Sequence, residues 1–134
     1  MTNEELIRLA KDAMAAAYTP YSHFKVGAAL ETADGTVYTG CNIENAAYGP
    51  TVCAERVAIF QAVRFGHRSF RRIAIVGGKD GEISAFTYPC GVCRQVMREF
   101  CEDDFELIFT DGHDVKVLTL ADLLPCSFSP RDLG

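Results

Sequence analysis

Two short stretches carry the residues that could do chemistry together, Cys53-Ala54-Glu55 and Pro89-Cys90-Gly91-Val92-Cys93. A Cys-x-x-Cys pair alone also marks dithiol redox sites, so the third cysteine and the nearby glutamate are what narrow the reading. Cys90 and Cys93, three apart at a predicted helix start, share one face. Cys53 and Glu55 are two apart and leave their helix on nearly opposite sides. Helical side chains tilt toward the N-terminus, however, so both can approach an ion placed just beyond the end of the axis. The spacing therefore predicts two helices meeting N-terminus to N-terminus around one metal. Zinc suits such a donor set, because thiolates are soft ligands and the ion has no redox chemistry of its own. Three protein ligands leave the fourth tetrahedral position to water, whereas a closed structural site would require a fourth side chain. Three thiolates outweigh a dication by about one unit of charge. The positive helix ends and Arg56 are expected to offset that excess, with Arg56 donating hydrogen bonds to the ligand sulfurs.

The elements that must position these residues follow from periodicity. Thr2 and Glu5 have the spacing of a capping box, and Leu6, Leu9, Ala10, Ala13, Met14 and Ala17 recur as one helical stripe ended by Thr19-Pro20. Phe24, Val26, Ala28 and Leu30 alternate with Lys25, Gly27, Ala29 and Glu31, predicting a strand with one face inward. Asp34-Gly35 is a hairpin turn, and 37–41 is the returning strand. A polar loop, 42–50, leads to a buried helix over 51–65, apolar almost all round and ended by Gly66. Residues 73–76 form a central strand, 90–101 a second cysteine-headed helix with Val92, Val96 and Phe100 along one side, and 105–109 and 115–118 two further strands. A short helix starts at Thr119 and stops at Pro125. This α-β-β-α-β-α-β-β-α order predicts a three-layer α/β/α sandwich with a five-stranded mixed sheet, in a single domain over 1–134.

Composition narrows the class. The 134 residues are 49% hydrophobic and 23% charged, which fits a globular chain with a sizeable core. A net charge of -5 with scattered basic residues argues against a nucleic-acid polymer as partner. Arg71-Arg72 reads as a solvated strand end. No apolar run is long enough for a bilayer, and the acidic start is unlike a signal peptide, so a cytoplasmic location is expected. In a reducing compartment clustered cysteines are ligands or catalysts, while Cys41, Cys101 and Cys126 read as packing residues. Phe60, Val63 and Met97 read as core, and His23, His67 and His113 as surface.

Cys-Ala-Glu together with Pro-Cys-Gly-x-Cys-Arg-Gln resembles the cytidine deaminase family in its small three-cysteine form. Similarity also covers Tyr18-x-Pro20-Tyr21-Ser22-x-Phe24-x-Val26-Gly27-Ala28-Ala29, Gly40-Cys41-Asn42-Ile43-Glu44-Asn45-Ala46 and Leu123-Leu124-Pro125-x-x-Phe128, nearly the whole chain. The resemblance implies a cytidine deaminase-like fold with one Zn2+ per subunit held by Cys53, Cys90 and Cys93. It implies that Glu55 moves protons from an activated water to ring N3 and to the departing amine. It further implies Phe24 packing on the pyrimidine, Asn42 and Glu44 holding the ribose 3′-hydroxyl, and the Ala54 backbone meeting the base. Tyr48 is counted with the substrate-binding residues, and Phe128 reaches a neighbouring subunit's site in a homotetramer. The expected reaction is hydrolytic deamination of cytidine and deoxycytidine in pyrimidine salvage. Two positions depart from the family's pattern, Tyr88 before Pro-Cys and Thr51-Val52 before the first ligand.

Other readings use fewer of these residues. On local sequence alone Phe24 is an inward core residue, Asn42 a turn, Glu44 a solvated carboxylate and Phe128 terminal packing. A structural zinc module leaves Glu55 and the Asn42–Glu44 loop without a task, and a dithiol redox protein leaves Cys53 without one. Among deaminases, nucleotide enzymes need a cation for the phosphate, and RNA-base enzymes carry His-x-Glu and a basic groove. Blasticidin-type antibiotic deaminases are the nearest alternative, lacking the complete Asn-x-Glu-Asn stretch.

Overall fold

The computed structural model describes residues 1–134. Its elements are α1 (Asn3–Met14), β1 (Phe24–Thr32), β2 (Val37–Cys41), α2 (Ala54–Arg64), β3 (Phe70–Lys79), α3 (Gly91–Phe100), β4 (Glu106–Thr110), β5 (Val115–Thr119), α4 (Leu120–Leu123) and a closing 3-10 helix, Pro130–Leu133. The five strands form one sheet in the order β2-β1-β3-β4-β5. Only β3 and β4 run parallel, joined through α3, so the sheet is mixed as expected.

Period-two alternation in the central strands divides the core in two. Ala28 and Leu30, Ile73 and Ile75, and Leu107 and Phe109 face α2, α3 and α4, against Ala58, Ile59, Ala62, Met97 and Leu120. Ala29, Ala74, Val76 and Ile108 face α1, against Leu6, Ile7, Ala10 and Met14. The one-face expectation for β1 is thereby corrected: both faces are covered, because the sheet is sandwiched. Even Glu31 is buried, its carboxylate paired with Arg72 Nε at 2.6 Å. Arg72 is correspondingly no solvated strand end, since it also donates to Asn3 Oδ1 and to the Met1 carbonyl.

Helix boundaries shift for identifiable reasons. The Thr2/Glu5 capping box is present. However, α1 ends at Met14 instead of at Thr19, because Ala16 and Ala17 donate to carbonyls three residues back and turn the chain. That turn brings Tyr18 beside Ile43, which in turn pairs with Val52. Val52 is thus held extended, and α2 starts at Ala54 with Cys53 as its N-cap. Phe60, expected in the core, is half exposed on the outer side of α2. Val92, Val96 and Phe100 also face outward and share an apolar groove with it. Met97 is fully buried, and Val63 packs on the core from its edge. Cys101 is buried as expected of a packing residue and Cys41 partly so, whereas Cys126 is exposed on a left-handed turn.

Candidate metal centre and active site

The two cysteine-headed helices reach the same point from the same side of the sheet. Cys53 and Cys90 are the N-cap residues of α2 and α3, and neither makes a side-chain capping bond. Their sulfurs lie 3.7 Å apart, and those of Cys53, Cys90 and Cys93 all fall within 4.8 Å of one another. Two thiolates at 2.3 Å from a tetrahedral zinc stand ~3.8 Å apart, so the cluster fits that ion. Arg56 reaches back one turn, and its Nη2 donates to Cys53 Sγ at 3.5 Å. Its buried Nε has no protein partner.

Electrostatics of the cluster point the same way. A hydrogen bond from the Cys93 thiol, aided by Arg56, holds Cys53 down to about 5. Cys93 is pushed up for the complementary reason, keeping the proton it shares with Cys53. Cys53, Cys90 and Cys93 would give up that proton on holding a zinc ion. Glu55, in the first turn of α2, is buried, and desolvation first and the Cys53 charge second push its carboxyl up to about 7. A carboxyl titrating near neutrality can both accept and return a proton.

Backbone close approach sets these positions. A Cβ on Gly40 of β2 would stand 2.4 Å from the Ala54 carbonyl oxygen and 2.7 Å from Ala58 N, so only glycine lets the first turn of α2 lie this low on the sheet. Gly77 of β3 is likewise covered, by Thr87 and by the ring of Phe24. On the α3 side Arg94 fixes the approach to Cys90, donating through Nε to the Pro89 carbonyl at 2.8 Å and through Nη1 to the Leu123 carbonyl at 2.7 Å.

Cys53 and Cys90 form part of the wall of a cavity of about 210 Å³, lined also by Phe24, Val26, Asn42, Glu44, Thr51, Val52, Ala54, Glu55, Thr87 and Tyr88. Phe24, Asn42, Glu44, Ala54 and Glu55 are therefore brought together with Cys53 and Cys90. Asn42 spans the β1 backbone, its Oδ1 accepting from Val26 N and its Nδ2 donating to the Phe24 carbonyl, each at 2.9 Å. Glu44 accepts from Tyr21 N, Ser22 N and the Ser22 hydroxyl, and that hydroxyl is the main reason its carboxyl is held below the ordinary range. Tyr48 and Phe128 do not enter this cavity. Tyr48 is 91% exposed in an adjoining depression with Tyr21 and Asn45, and Phe128 is exposed beside Gln95. Sequence reasoning passed over Gly77, Thr87 and the strap role of Arg94. The Gly77-Gly78 pair closing an apolar strand was the available signal for the first.

Comparison with known proteins decides between these chemistries. Residues 1–108 match the family model described as the cytidine and deoxycytidylate deaminase zinc-binding region. The chain belongs to the cytidine deaminase family. It is 50% identical to the cytidine deaminase of Sporosarcina psychrophila over 135 aligned positions, covering 100% of this chain and 96% of that one. The crystal structure of the cytidine deaminase from Burkholderia pseudomallei superposes with a TM-score of 0.88 at 50% identity, over 96% of this chain and 100% of that one. A blasticidin-S deaminase from Bacillus cereus lies further off, 33% identical over 93% of this chain and 91% of its own. Family membership and the three-thiol geometry together make zinc the cofactor.

Proposed function

We propose that this chain hydrolyses cytidine and deoxycytidine to uridine and deoxyuridine with release of ammonia. The observation that carries the reading is Glu55, buried at the thiol end of a small cavity whose other lining includes Asn42 and Glu44. When bound by Cys53, Cys90 and Cys93, zinc supplies the Lewis acidity that makes a water nucleophilic near neutral pH. Glu55 takes the proton of the water attacking C4, delivers it to ring N3, and carries a proton to the departing amine. Phe24 offers the pyrimidine an aromatic face, and the Ala54 backbone meets the base edge. Asn42 keeps one amide hydrogen and one lone pair beyond its two bonds to β1. Glu44 uses three of about four acceptor sites, leaving one for a ribose hydroxyl. Its charge at the mouth disfavours a 5′-phosphate, which separates nucleosides from nucleotides.

The same reading makes the chain one catalytic domain acting as a homotetramer in cytoplasmic pyrimidine salvage. The groove between α2 and α3, lined by Phe60, Val92, Val96 and Phe100, is an apolar surface of the kind subunits cover. Phe128 and Tyr48 are both exposed on their own chain, which supports a reading in which Phe128 reaches a neighbour's site. No helix is long and apolar enough to cross a membrane. Thiolate ligands persist best in a reducing compartment.

Ammonia release from cytidine, deoxycytidine, cytidine monophosphate and blasticidin S, with Glu55→Ala as control, tests the reading. Turnover of both nucleosides, abolished in the control, is the expected result. Turnover of blasticidin S or the nucleotide alone overturns the ribose assignment while keeping the chemistry. Zinc-loaded protein inert toward all four overturns the catalytic reading altogether.

A further inference from the structure

Tyr88 immediately precedes Pro89-Cys90 and lines the same cavity as Glu55. Its ring meets the fully buried Phe109 edge-on, at 5.0 Å between centroids and 68°, and stacks near Phe86 at 6.4 Å and 26°. Its hydroxyl accepts a hydrogen bond from Lys116 Nζ at 2.8 Å. The same ammonium stands 4.4 Å from the centre of the Phe86 ring, so Lys116 on β5 is itself fixed. The phenol is thus held along its ring and at its tip, by an aromatic contact and a charge-assisted bond.

We propose that Tyr88, positioned by Lys116, is the specificity-determining wall that admits an unsubstituted exocyclic amine and excludes N4-alkylated cytidines. This rests on the reading of the cavity as a cytidine site. In a cytosine nucleoside C4 lies across the ring from N1, which bears the sugar. Seating the ribose at Asn42 and Glu44 therefore sends C4 and its amine toward Glu55, Cys53 and Cys90. Outside α2 and the ligands, the lining residues that flank a ligand along the chain are Thr51-Val52, before Cys53, and Thr87-Tyr88, before Cys90. Val52 is held extended against Ile43. Thr87 is packed down over Gly77 of β3. Tyr88 remains to bound the space beyond the amine, and a side chain tied at its tip does not swing away from an added methyl group. Tyr88 acts by shape on the substrate, and Lys116 acts only through Tyr88.

The test compares kcat/KM for cytidine, which gives ammonia, with that for N4-methylcytidine, which gives methylamine and the same uridine. Zinc-loaded wild type is expected to favour cytidine by about 100-fold, within the range one buried methyl group commands. Tyr88→Ser should bring that ratio to about 10-fold or less by the same measure. Tyr88→Phe and Lys116→Met remove the same bond, so each should relax the ratio part-way and the double variant no further. Calorimetric binding of both nucleosides to zinc-loaded Glu55→Gln protein, with and without Tyr88→Ser, should show the same shift without turnover. A merely structural Tyr88 would lower both substrates together and leave the ratio unchanged, which overturns the proposal. Wild-type turnover of both nucleosides at similar rates also overturns it. A wild type inert toward cytidine overturns instead the functional reading beneath it.

Discussion

The two faces of the sheet solve the same packing problem with different helix beginnings. On one face α1 opens with a capping box, so the side chains of Thr2 and Glu5 satisfy backbone donors that helix geometry leaves over. On the other face α2 and α3 open on Cys53 and Cys90, whose sulfurs make no capping bond. Those sulfurs point instead toward each other and toward Cys93. Both faces press a helix onto a glycine. A Cβ on Gly27 would stand 2.0 Å from the Ala10 carbonyl oxygen of α1, just as one on Gly40 would meet Ala54 of α2. Packing is therefore equally demanding on either side. What distinguishes the reactive face is that the ends of α2 and α3 are left to thiolates, which the partial positive charge there favours, while its short α4 keeps a capping box of Thr119 and Asp122.

The sharpest way to break the comparison is to remove chemistry from the reactive face. Cys90→Ala should abolish zinc binding and turnover together, read by metal content after gel filtration and by ammonia release. Glu55→Gln should keep zinc at wild-type stoichiometry while turnover falls by at least about 10³-fold, since one carboxyl serves several proton transfers. Wild-type zinc content with only a several-fold loss of rate in Glu55→Gln would assign the proton transfers elsewhere.

The paired glycines come next. Gly27→Ala and Gly40→Ala should each cost at least about 1–3 kcal/mol in denaturant unfolding, because the neighbouring atoms are mostly backbone and cannot step aside. Their effects on turnover should part. Gly40→Ala lifts the first turn of α2, which carries Glu55, and a displacement of that size costs about 10²-fold in kcat. Gly27→Ala should leave kcat of the folded protein near wild type. Equal kcat losses in the two variants would show that the sheet transmits strain from one face to the other.

These contrasts also mark how far the sequence was legible. The element order, the α1 capping box and the meeting of two helix N-termini were readable, because caps, periodicity and Cys-x-x-Cys spacing are local signals. The second covered face of β1 was not, since Gly27 and Ala29 look neutral until a helix lies on them. The outward turn of Phe60 was equally hidden. An apolar stripe does not reveal whether its cover comes from the same chain. Within the site, the thiol cluster and Glu55 followed from spacing. The roles of Asn42 and Glu44 as braces for β1 and for the Tyr21–Ser22 turn depend on a loop fold that no short pattern encodes.

A smaller effect sharpens the contrast from the quiet side. Thr2→Ala should destabilise the protein by about 1 kcal/mol, the usual worth of an N-cap, with kcat and zinc content unchanged. Any loss of zinc in this variant would mean that the two faces are not independent.

The smallest effect belongs to neither face and provides the reference. Asp34 sits in the turn between β1 and β2, ahead of Gly35 with its positive φ. Its Oδ1 accepts from Thr32 Oγ1 at 2.5 Å, Thr36 N at 3.1 Å and Thr36 Oγ1 at 2.9 Å. The Thr32 hydroxyl first and the Thr36 backbone next lower its carboxyl from 3.8 to about 2. A depressed native value means that the folded state binds the proton less well than the unfolded chain does. The stability contributed by this group is therefore fully present above about pH 4 and fades as pH falls through about 2. Asp34→Asn, which cannot ionise, should run below the wild type in unfolding free energy at pH 5 and converge on it by pH 2. Other carboxylates titrate in both proteins and cancel in the difference. A gap that stays constant between pH 5 and pH 2 would mean that the turn is held by its neutral hydrogen bonds and its glycine, with the charge contributing nothing.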